Sequence, residues 1–376
     1  MTVPILDCPY LHLRLMMNIN NRFSILLVLF SLLCQNALAQ EHRHHEQLMF
    51  WNVENAFWPE DDPAVDDDEF TPEGMRHWTH GRLRHKLLQL TRVLLAAGDG
   101  RAPMVVGLAE VEGDSVMQYW THHTPLYDQH YQYICTHGPD QRGIQTALLY
   151  QPADFHLIQA DEYEVPMPAG LRPTRHLLHA LGRLVSGDSL DVIVCHLPSR
   201  LGGARQSQPA RDAAHQVVAS LADSLLKCRL HPAVIIMGDM NDTPSSKSKG
   251  AWWGSQFVNL MLPLQRDLRT HPSAFGSHKY HGQWGYLDQF IINREHAPSG
   301  IAESTIANKS REGATIECDT LRSLVFSAPR SFHLPFMLTD DVTHLGHRPA
   351  RSYMGYQYEG GYSDHLPILL DLDICF

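Results

Sequence analysis

The sequence predicts an α/β fold in which two β-sheets pack face to face and helices cover their outer surfaces. Apolar residues make up 44% of the chain and charged residues 19%, which is ordinary for a globular protein. Short apolar segments typical of strands alternate with amphipathic segments typical of helices, but the strand segments outnumber the helical ones. That excess favours two packed sheets over one doubly wound sheet.

Eight segments have the apolar, β-branched or aromatic composition of strands: residues 48–53, 104–111, 131–135, 144–150, 190–198, 233–241, 284–292 and 366–374. Two segments predict helices. In residues 82–97, leucines recur at helical spacing and Gly98 follows as a stop signal, and a second helix is expected over residues 210–227. Residues 293–362 are rich in turns and charge and are interpreted as an irregular insertion before the last strand.

Residues 1–39 predict a secretory signal peptide. Arg22 precedes an apolar run, FSILLVLFSLLC, and the segment QNALA ends in the small-residue pattern of a cleavage site. The run is short for a membrane span, although an uncleaved anchor is the alternative. We expect export to the periplasm or the extracellular space, and one catalytic domain over residues 40–376, because no linker or repeat divides that part of the chain.

The charge of the chain restricts the class of ligand. A formal net charge of −11 argues against tight, nonspecific binding of duplex nucleic acid, since such binding depends on Lys and Arg neutralising phosphates. Residues 60–69, EDDPAVDDDE, are interpreted as a solvated acidic loop. A calcium or second-metal site is the alternative there, without the glycine and terminal glutamate of an EF-hand loop.

Polar residues follow four of the predicted apolar strands: Asn52 after LMFW, Glu110 after VVGLA, His196 after VIVC and Asp239 after VIIMG. A side chain placed where a buried strand leaves the core lies on the rim of a site, and the sheet fixes its position. Each residue alone has a structural explanation, as a turn, an exposed carboxylate or a core histidine. Together they predict a site where these strands end.

Further polar residues lie close to these positions. Alternation along an extended chain places Asn241 on the side of Asp239, and Glu112 on the side of Glu110. A hard cation such as Mg²⁺ binds through one or two carboxylates and keeps its waters, so Glu110 is a candidate ligand.

Three residues in the last third of the chain extend the set. Asp288 is a carboxylate inside an apolar strand and needs a partner, for which a histidine ring nitrogen from a neighbouring strand is the obvious candidate. Asp364 and His365 are adjacent just before the last strand, so they cannot share one of its faces. One is expected to face a metal and the other a phosphate.

The blocks NVEN, GLAEVEG, RGIQTALLY, HLPSR, GDMND, LDQFII and YSDHLP occur in this order and resemble the endonuclease/exonuclease/phosphatase superfamily. Members include deoxyribonuclease I, abasic-site endonucleases, neutral sphingomyelinases and inositol polyphosphate 5-phosphatases. The resemblance covers residues 48–373 and looks closest to an exported bacterial branch. It implies a four-layered α/β sandwich of two mixed sheets with helices outside. Cys195 stands where the superfamily commonly has Asn, and we expect its side chain to point away from the site.

The resemblance also implies the metal and its ligands. Glu110, helped by Asn52, would hold Mg²⁺, with Mn²⁺ as the alternative cofactor. Asp364 would complete the metal or water shell. Arg142, in the block DQRGIQTALLY, would contact the substrate phosphate.

Five residues receive catalytic roles from the resemblance. Asp239 would position or deprotonate the attacking water, and Asn241 would orient it. His365, paired with Asp288, and His196 would bind the scissile phosphoryl group and stabilise charge in the transition state. The base is left open between Asp239 and the Asp288–His365 pair.

The function expected from residues and resemblance is that of an exported, divalent-metal-dependent hydrolase of phosphate esters, acting on diesters by in-line attack of water. The substrate would be a nucleic acid or a phospholipid, and the protein a monomer without a stable protein partner. A phosphomonoesterase or a sphingomyelinase-like phospholipase is the alternative, with Trp78, Trp252 and Trp253 facing lipid or, as we favour, packing in the core. A catalytically inactive binding module with the same fold is a third hypothesis.

Overall fold

Two mixed β-sheets dominate the computed structural model, which describes residues 43–98, 101–200, 202–244, 253–271, 273–298, 301 and 323–376. The predicted signal peptide, residues 1–39, lies outside these residues. His44–Ile374 form one compact unit, and the other unit, Met1–Arg43 with Cys375–Phe376, falls almost entirely outside the described part. Among the described helices, none combines the length and the apolar run that crossing a bilayer requires.

The first sheet has seven strands. In spatial order they are β13 (Leu324–Phe326), β19 (Ile368–Cys375), β1 (Arg43–Ala56), β2 (Val105–Val111), β4 (Gln145–Tyr150) and β3 (Gln132–Cys135), with β14 (Arg330–Ser331) also paired to β19. The second sheet has six strands, in the order β5 (Phe155–Tyr163), β6 (Leu177–Leu184), β7 (Ser189–His196), β8 (Val234–Asp239), β12 (Asp288–Asn293) and β9 (Phe257–Asn259).

Each sheet contains one parallel pair, β1 with β2 in the first and β7 with β8 in the second. Antiparallel partners surround these pairs, so both sheets are mixed, as the resemblance implies. Three small hairpins complete the strands: β10 (His278–Tyr280) with β11 (Gln283–Gly285), β15 (Leu338–Asp340) with β16 (His347–Pro349), and β17 (Tyr353–Met354) with β18 (Gln357–Tyr358).

Four α-helices are described: α1 (His80–Ala97), α2 (Asp114–His123), α3 (Gln208–Cys228) and α4 (Leu262–Asp267). Short 3₁₀ turns occur at Asp68–Phe70, Pro125–Gln129, Arg294–His296 and Pro335–Met337. Thr79 caps α1, because its hydroxyl accepts the backbone N–H of Arg82. The observed α1 and α3 begin two residues earlier than predicted.

Three apolar layers hold the fold together, and strand alternation assigns residues to them. In β1, Leu48 and Phe50 enter the core between the sheets, whereas Met49 and Trp51 enter an outer core shared with α1 and α2. A second outer core lies between α3 and the other sheet. The order is therefore helix, sheet, sheet, helix, and the predicted fold class is confirmed.

The elements β5, β6 and α2 were not predicted from the sequence. Strand β5 lies at a sheet edge and most of its residues are exposed or half-buried, so it lacks an apolar run. The predicted strand 284–292 is two strands: Trp284 belongs to the β10–β11 hairpin, and β12 begins only at Asp288. Part of the predicted irregular insertion, residues 293–362, consists of the short strands β13 to β18.

Candidate active site

The predicted polar residues lie at one end of the core between the two sheets. Four of them, Asn52, His196, Asp239 and Asp288, have the strand parity that faces this core. In β8, for instance, Asp239 continues the face of Ile235 and Met237. The apolar layer therefore ends in a polar layer that the same strands hold in register.

Strand register places three of these side chains next to one another. His196 is opposite Asp239 in the parallel pair β7–β8, and Asp288 is opposite Asp239 in the antiparallel pair β8–β12. Asp239 thus lies at the centre of a three-strand row, and its residue is only 2% exposed. The positions are set by backbone hydrogen bonds, which makes the site rigid.

Glu110 reaches the same place by breaking the alternation of β2. Val106 and Leu108 belong to the outer core, so regular pleating would send Glu110 outwards with them. Instead its φ is +66°, and the strand register shifts between Ala109 and Val111. A non-glycine residue in this conformation costs on the order of 1 kcal/mol, a strain often found at functional sites. The predicted placement of Glu112 on the same side as Glu110 is consequently wrong.

Asn52 joins the two acidic residues. Its Nδ2 donates to Glu110 Oε1 at 3.2 Å and to Asp239 Oδ2 at 3.1 Å. Its Oδ1 accepts the backbone N–H of Glu54 at 3.0 Å. In this orientation Asn52 holds the carboxylates together through its amide hydrogens, and the oxygens offered to a cation are those of Glu110 and Asp239.

His365 and Asp288 form the pair that the sequence predicted. His365 Nδ1 lies 2.7 Å from Asp288 Oδ2, and its Nε2 points to Asp239 Oδ2 at 3.9 Å. Burial opposes the imidazolium charge, but the carboxylates of Asp288, Asp239 and Asp364 raise the pKa of His365 well above its ordinary value. His365 is therefore a charged donor that faces the centre of the site.

His196 has the opposite electrostatic character. Its Nε2 lies 3.7 Å from Asp239 Oδ2 and 3.9 Å from Glu110 Oε1. Burial, followed by the charges of Arg175 and Arg142, lowers the pKa of His196 well below its usual value. Cys195, next to it, packs in the outer core with α3, so its side chain points away from the site as expected.

Asp239 itself is a perturbed carboxylate. Burial raises its pKa to about 6, while His365 acts in the opposite direction. Asp239 Oδ1 accepts the backbone N–H of Asn241 at 2.8 Å. Asn241 has φ +48°, and its side chain donates to the carbonyl of Leu197 at 2.9 Å, so its orientation follows from this turn and not from strand alternation.

Asp364 is tied to a basic residue that the sequence reading did not identify. Arg351 Nη2 lies 2.9 Å from Asp364 Oδ2, and Arg351 Nε lies 3.1 Å from Glu54 Oε1. Burial alone would raise the pKa of Asp364, but His365 and Arg351 bring it below the usual range. Asp364 therefore reaches the site as one end of a Glu54–Arg351–Asp364 chain, in which Glu54 is buried and the other two side chains are partly exposed.

Lys86 supports this chain from helix α1. Its ammonium donates to the Ser352 hydroxyl at 2.6 Å and to the Tyr362 carbonyl at 3.1 Å, and burial lowers its pKa to about 8. The sequence carried a signal for it, since Lys86 stands three residues after Leu83 on the apolar face of α1. A lysine inside an apolar helical stripe needs a buried partner.

Arg142 lies at the margin of the site. Its Nη1 is 3.5 Å from Asn55 Oδ1, and the backbone N–H of Asn55 donates to Glu110 Oε2 at 3.1 Å. The exposed guanidinium of Arg142 is thus linked to Glu110 through one intervening residue, Asn55. This position is compatible with a phosphate contact at the entrance.

The donors in this site fit a hard divalent cation. Glu110 and Asp239 contribute carboxylate oxygens that are held together by an amide, and neither forms an ion pair with a lysine or arginine among the described residues. Side chains of Asp239, Asp288 and His365 also lie close enough to share an ion, as do those of His278, Asp364 and His365. Because Asp288 and Asp364 already pair with His365 and Arg351, Glu110 and Asp239 offer the better oxygens.

Comparisons with known proteins identify the family and the fold. The sequence profile of the Endonuclease/Exonuclease/phosphatase family matches residues 47–374. A search of curated proteins finds no match. An endonuclease/exonuclease/phosphatase family protein from Bacteroides thetaiotaomicron superimposes with a TM-score of 0.52 at 11% identity, covering 89% of this chain and 97% of that one.

Two further solved structures are similar. TDP2 from D. rerio, complexed with single strand DNA product, superimposes with a TM-score of 0.50 at 13% identity, over 87% of this chain and 98% of that one. The human Nocturnin catalytic domain with bound sulfate anion has a TM-score of 0.49 at 15% identity, over 89% and 98%. With the family profile matched over nearly the whole described chain, the protein belongs to the endonuclease/exonuclease/phosphatase family of phosphoric ester hydrolases.

Proposed function

We propose that this protein is a divalent-metal-dependent phosphodiesterase whose centre is Asp239. The observation that carries the proposal is the environment of Asp239 Oδ2, which lies 3.1 Å from the Asn52 amide, 3.7 Å from His196 and 3.9 Å from His365. A carboxylate oxygen that accepts one amide hydrogen bond and lies close to two imidazoles suits a reaction in which a water is deprotonated and a phosphoryl group gains negative charge.

Asp239 is the better candidate for the base. The Nδ1 of His365 is engaged with Asp288, and the carboxylates around the ring raise the pKa of His365 well above its ordinary value, which favours the imidazolium form. An imidazolium can donate to a phosphoryl oxygen but cannot accept a proton from water. We therefore assign water positioning and deprotonation to Asp239, with Asn241 fixing the turn that holds it, and phosphoryl binding to His365 and His196.

Glu110, with Asn52 positioning it, would hold Mg²⁺ or Mn²⁺, and Asp364 would orient the groups around it through Arg351. A cation bound there supplies Lewis-acid stabilisation of charge on the phosphoryl oxygens. Arg142, at the entrance, would contact the substrate phosphate. A chelator should abolish turnover, and Mg²⁺ or Mn²⁺ should restore it. Turnover that is indifferent to both would remove the metal role of Glu110.

The substrate class is proposed as phosphodiesters, and nucleic acid is the first candidate because a similar fold, D. rerio TDP2, was solved with single strand DNA product. The phospholipase alternative relied in part on exposed tryptophans. Trp78 is 1% exposed and Trp253 is 6% exposed, so neither presents an indole to a membrane surface. Trp252 lies outside the described residues.

The deciding experiment is hydrolysis of a small panel by the purified protein, with Mg²⁺ and with chelator. The panel holds bis-p-nitrophenyl phosphate, p-nitrophenyl phosphate, plasmid DNA and sphingomyelin. We expect chelator-sensitive cleavage of the diester and of DNA. Cleavage of the monoester or the lipid alone would favour the phosphomonoesterase or phospholipase alternative. A folded protein that cleaves nothing and gains no stability from Mg²⁺ would favour the binding module.

We also propose that the protein is exported to the periplasm or beyond, a proposal that rests on the sequence of residues 1–39. N-terminal sequencing of the protein recovered from its native compartment should start after Ala39. A mature chain that retains the apolar run would instead support an uncleaved anchor.

A further inference from the structure

We propose that Asp67 and Glu112 form a second binding site, for a hard divalent cation of the Ca²⁺ type, at the base of the acidic loop. The acidic loop is residues 60–69, and Trp58 lies at its start. This site is separate from the Glu110–Asp239 pair, and its proposal does not depend on the activity of the protein.

Two buried carboxylate oxygens carry the proposal. Asp67 is 1% exposed, yet its Oδ1 has no hydrogen-bond partner within the described part of the chain, and the same holds for the buried Oε1 of Glu112. The remaining oxygens are engaged: Asp67 Oδ2 accepts the N–H of Asp62 at 3.2 Å, and Glu112 Oε2 accepts the N–H of Trp58. Each carboxylate thus has one satisfied oxygen and one buried oxygen without a donor.

These two carboxylates are neighbours, and among the described residues neither forms an ion pair with a basic side chain. The Asp67 carboxylate lies within hydrogen-bonding reach of Glu112, and the charged groups acting most strongly on Glu112 are Asp67 and Asp62. Buried carboxylates ordinarily have a cationic or hydrogen-bonding partner, so this arrangement is costly unless a cation completes it.

The rest of the acidic loop adds charge of the same sign. Asp61 lies within hydrogen-bonding reach of Asp68, and the charged groups that act most strongly on it are Asp68, Asp67 and Asp62. Two close carboxylate pairs therefore lie here: Asp67 with Glu112, between the loop and the end of β2, and the exposed pair Asp61 with Asp68, inside the loop. Oxygen donors alone, from several carboxylates and neighbouring carbonyls, are the ligands that Ca²⁺ takes in a flexible shell of six to eight.

The kink in β2 separates this site from the catalytic one. The positive φ of Glu110 turns its carboxylate to Asn52, while the Glu112 carboxylate holds Trp58 at the start of the acidic loop. The loop in turn contacts the segment that carries Arg142, since the N–H of Asp66 donates to the Gln141 carbonyl at 2.6 Å. A cation at Asp67 and Glu112 would order this loop beside the entrance of the site.

Terbium(III) luminescence tests the proposal directly, because Tb³⁺ replaces Ca²⁺ and is sensitised by a nearby indole. Trp58 is bonded to Glu112 through its backbone, which places a sensitiser next to the site. In an Asp239→Asn background, which weakens the catalytic site, we expect saturable Tb³⁺ emission that Ca²⁺ displaces. Adding Asp67→Asn or Glu112→Gln should weaken Tb³⁺ binding at least tenfold.

Asp66→Asn is the matched control, because Asp66 is the exposed neighbour of Asp67 and the substitution removes the same charge. We expect it to change Tb³⁺ affinity by less than about threefold, the scale of a screened surface charge. Equal weakening by Asp66→Asn and Asp67→Asn would mean diffuse attraction by the loop and would overturn the proposal.

Thermal unfolding with and without Ca²⁺ provides a second readout. Ca²⁺ should raise the Tm of the wild type and leave that of Glu112→Gln unchanged. If Glu112→Gln instead raises the Tm by the same amount with and without Ca²⁺, the two carboxylates share a proton and no cation site exists. Should Asp67→Asn not fold, Glu112→Gln carries both measurements alone.

Discussion

Two buried aspartate–histidine pairs lie in this protein at the same distance, and only one of them belongs to the candidate active site. Asp288, in β12, is 2.7 Å from His365, and Asp191, in β7, is 2.7 Å from His179. Both aspartates are in the six-stranded sheet and both are at most 1% exposed. The pair geometry alone therefore does not identify function.

The surroundings of the two pairs differ. Asp191 has a cation, because Arg229 binds both of its oxygens at 2.9 and 3.0 Å. Asp288 has no basic residue of this kind within the described residues, and its Oδ1 is buried without a hydrogen-bond partner. The Asp191–His179 pair, which Arg229 neutralises, is a structural ion pair. The Asp288 carboxylate, in contrast, forms an ion pair with His365 alone among the basic side chains of the described residues.

The second nitrogen of each ring completes the contrast. His179 Nδ1 lies 3.6 Å from Asp161, on the edge strand β5, away from the other polar strand ends. His365 Nε2 faces Asp239 at one end of the core between the two sheets. A buried histidine is thus a candidate for chemistry when its free nitrogen faces a reactive group in an accessible site.

The largest expected effect separates the two histidines. His365→Ala should lower kcat on the diester substrate by about 10²- to 10⁴-fold, the usual contribution of a positioned acid or base. His179→Ala should leave kcat within about twofold, since it touches no part of the site. Steady-state kinetics gives kcat for both variants, and circular dichroism checks that both are folded. An equal loss of kcat in the two variants would contradict the distinction between the catalytic and the structural pair.

A smaller effect is expected at the aspartates. Asp288→Asn should lower kcat by about 10- to 100-fold, because an amide neither stabilises the imidazolium nor fixes its tautomer, and KM should change little. Asp191→Asn is the control, with kcat unchanged. The kcat and KM of both variants decide this, and a rise in KM alone for Asp288→Asn would assign Asp288 to substrate binding instead.

The structural pair should dominate stability. Asp191→Ala leaves His179 and Arg229 without their shared partner and should lower the free energy of unfolding by about 3 kcal/mol, as for other broken buried pairs. Arg330→Ala removes the half-exposed pair with Asp371 and should cost less than about 1 kcal/mol. Urea denaturation measures both, and similar costs would mean that Asp191 is no more than a surface-type ion pair.

The smallest effect concerns pH. Burial alone would raise the pKa of Asp191, but His179 and Arg229 lower it below its usual value. A carboxyl with a depressed folded-state pKa stabilises the fold above its unfolded pKa of about 4, and that stabilisation is lost as the pH falls through the lower folded value. Unfolding free energies from pH 5 downwards should therefore drop less steeply in Asp191→Asn than in the wild type. Parallel curves would contradict this.

Several elements of the site could be predicted because they depend on local pattern. The apolar strands that end in Asn52, His196 and Asp239 are visible in the sequence, and each observed strand includes or ends at the predicted residue. Asp288 was expected to need a histidine from a neighbouring strand, and its partner His365 comes instead from the segment just before β19 of the other sheet. Alternation failed at Glu110, where the backbone leaves the extended region, since local strain is invisible to a period-two pattern.

By itself, the sequence determined the two-sheet α/β class, the strands that carry the site and the identity of its polar side chains, because hydrophobic periodicity and the polar strand ends are local properties. Tertiary structure decided which polar residues share an environment. Arg351 joins Glu54 to Asp364, and Arg229 neutralises Asp191, across long separations in the chain. Counter-charge and burial depend on such contacts, so only the fold distinguishes the structural pair from the candidate catalytic one.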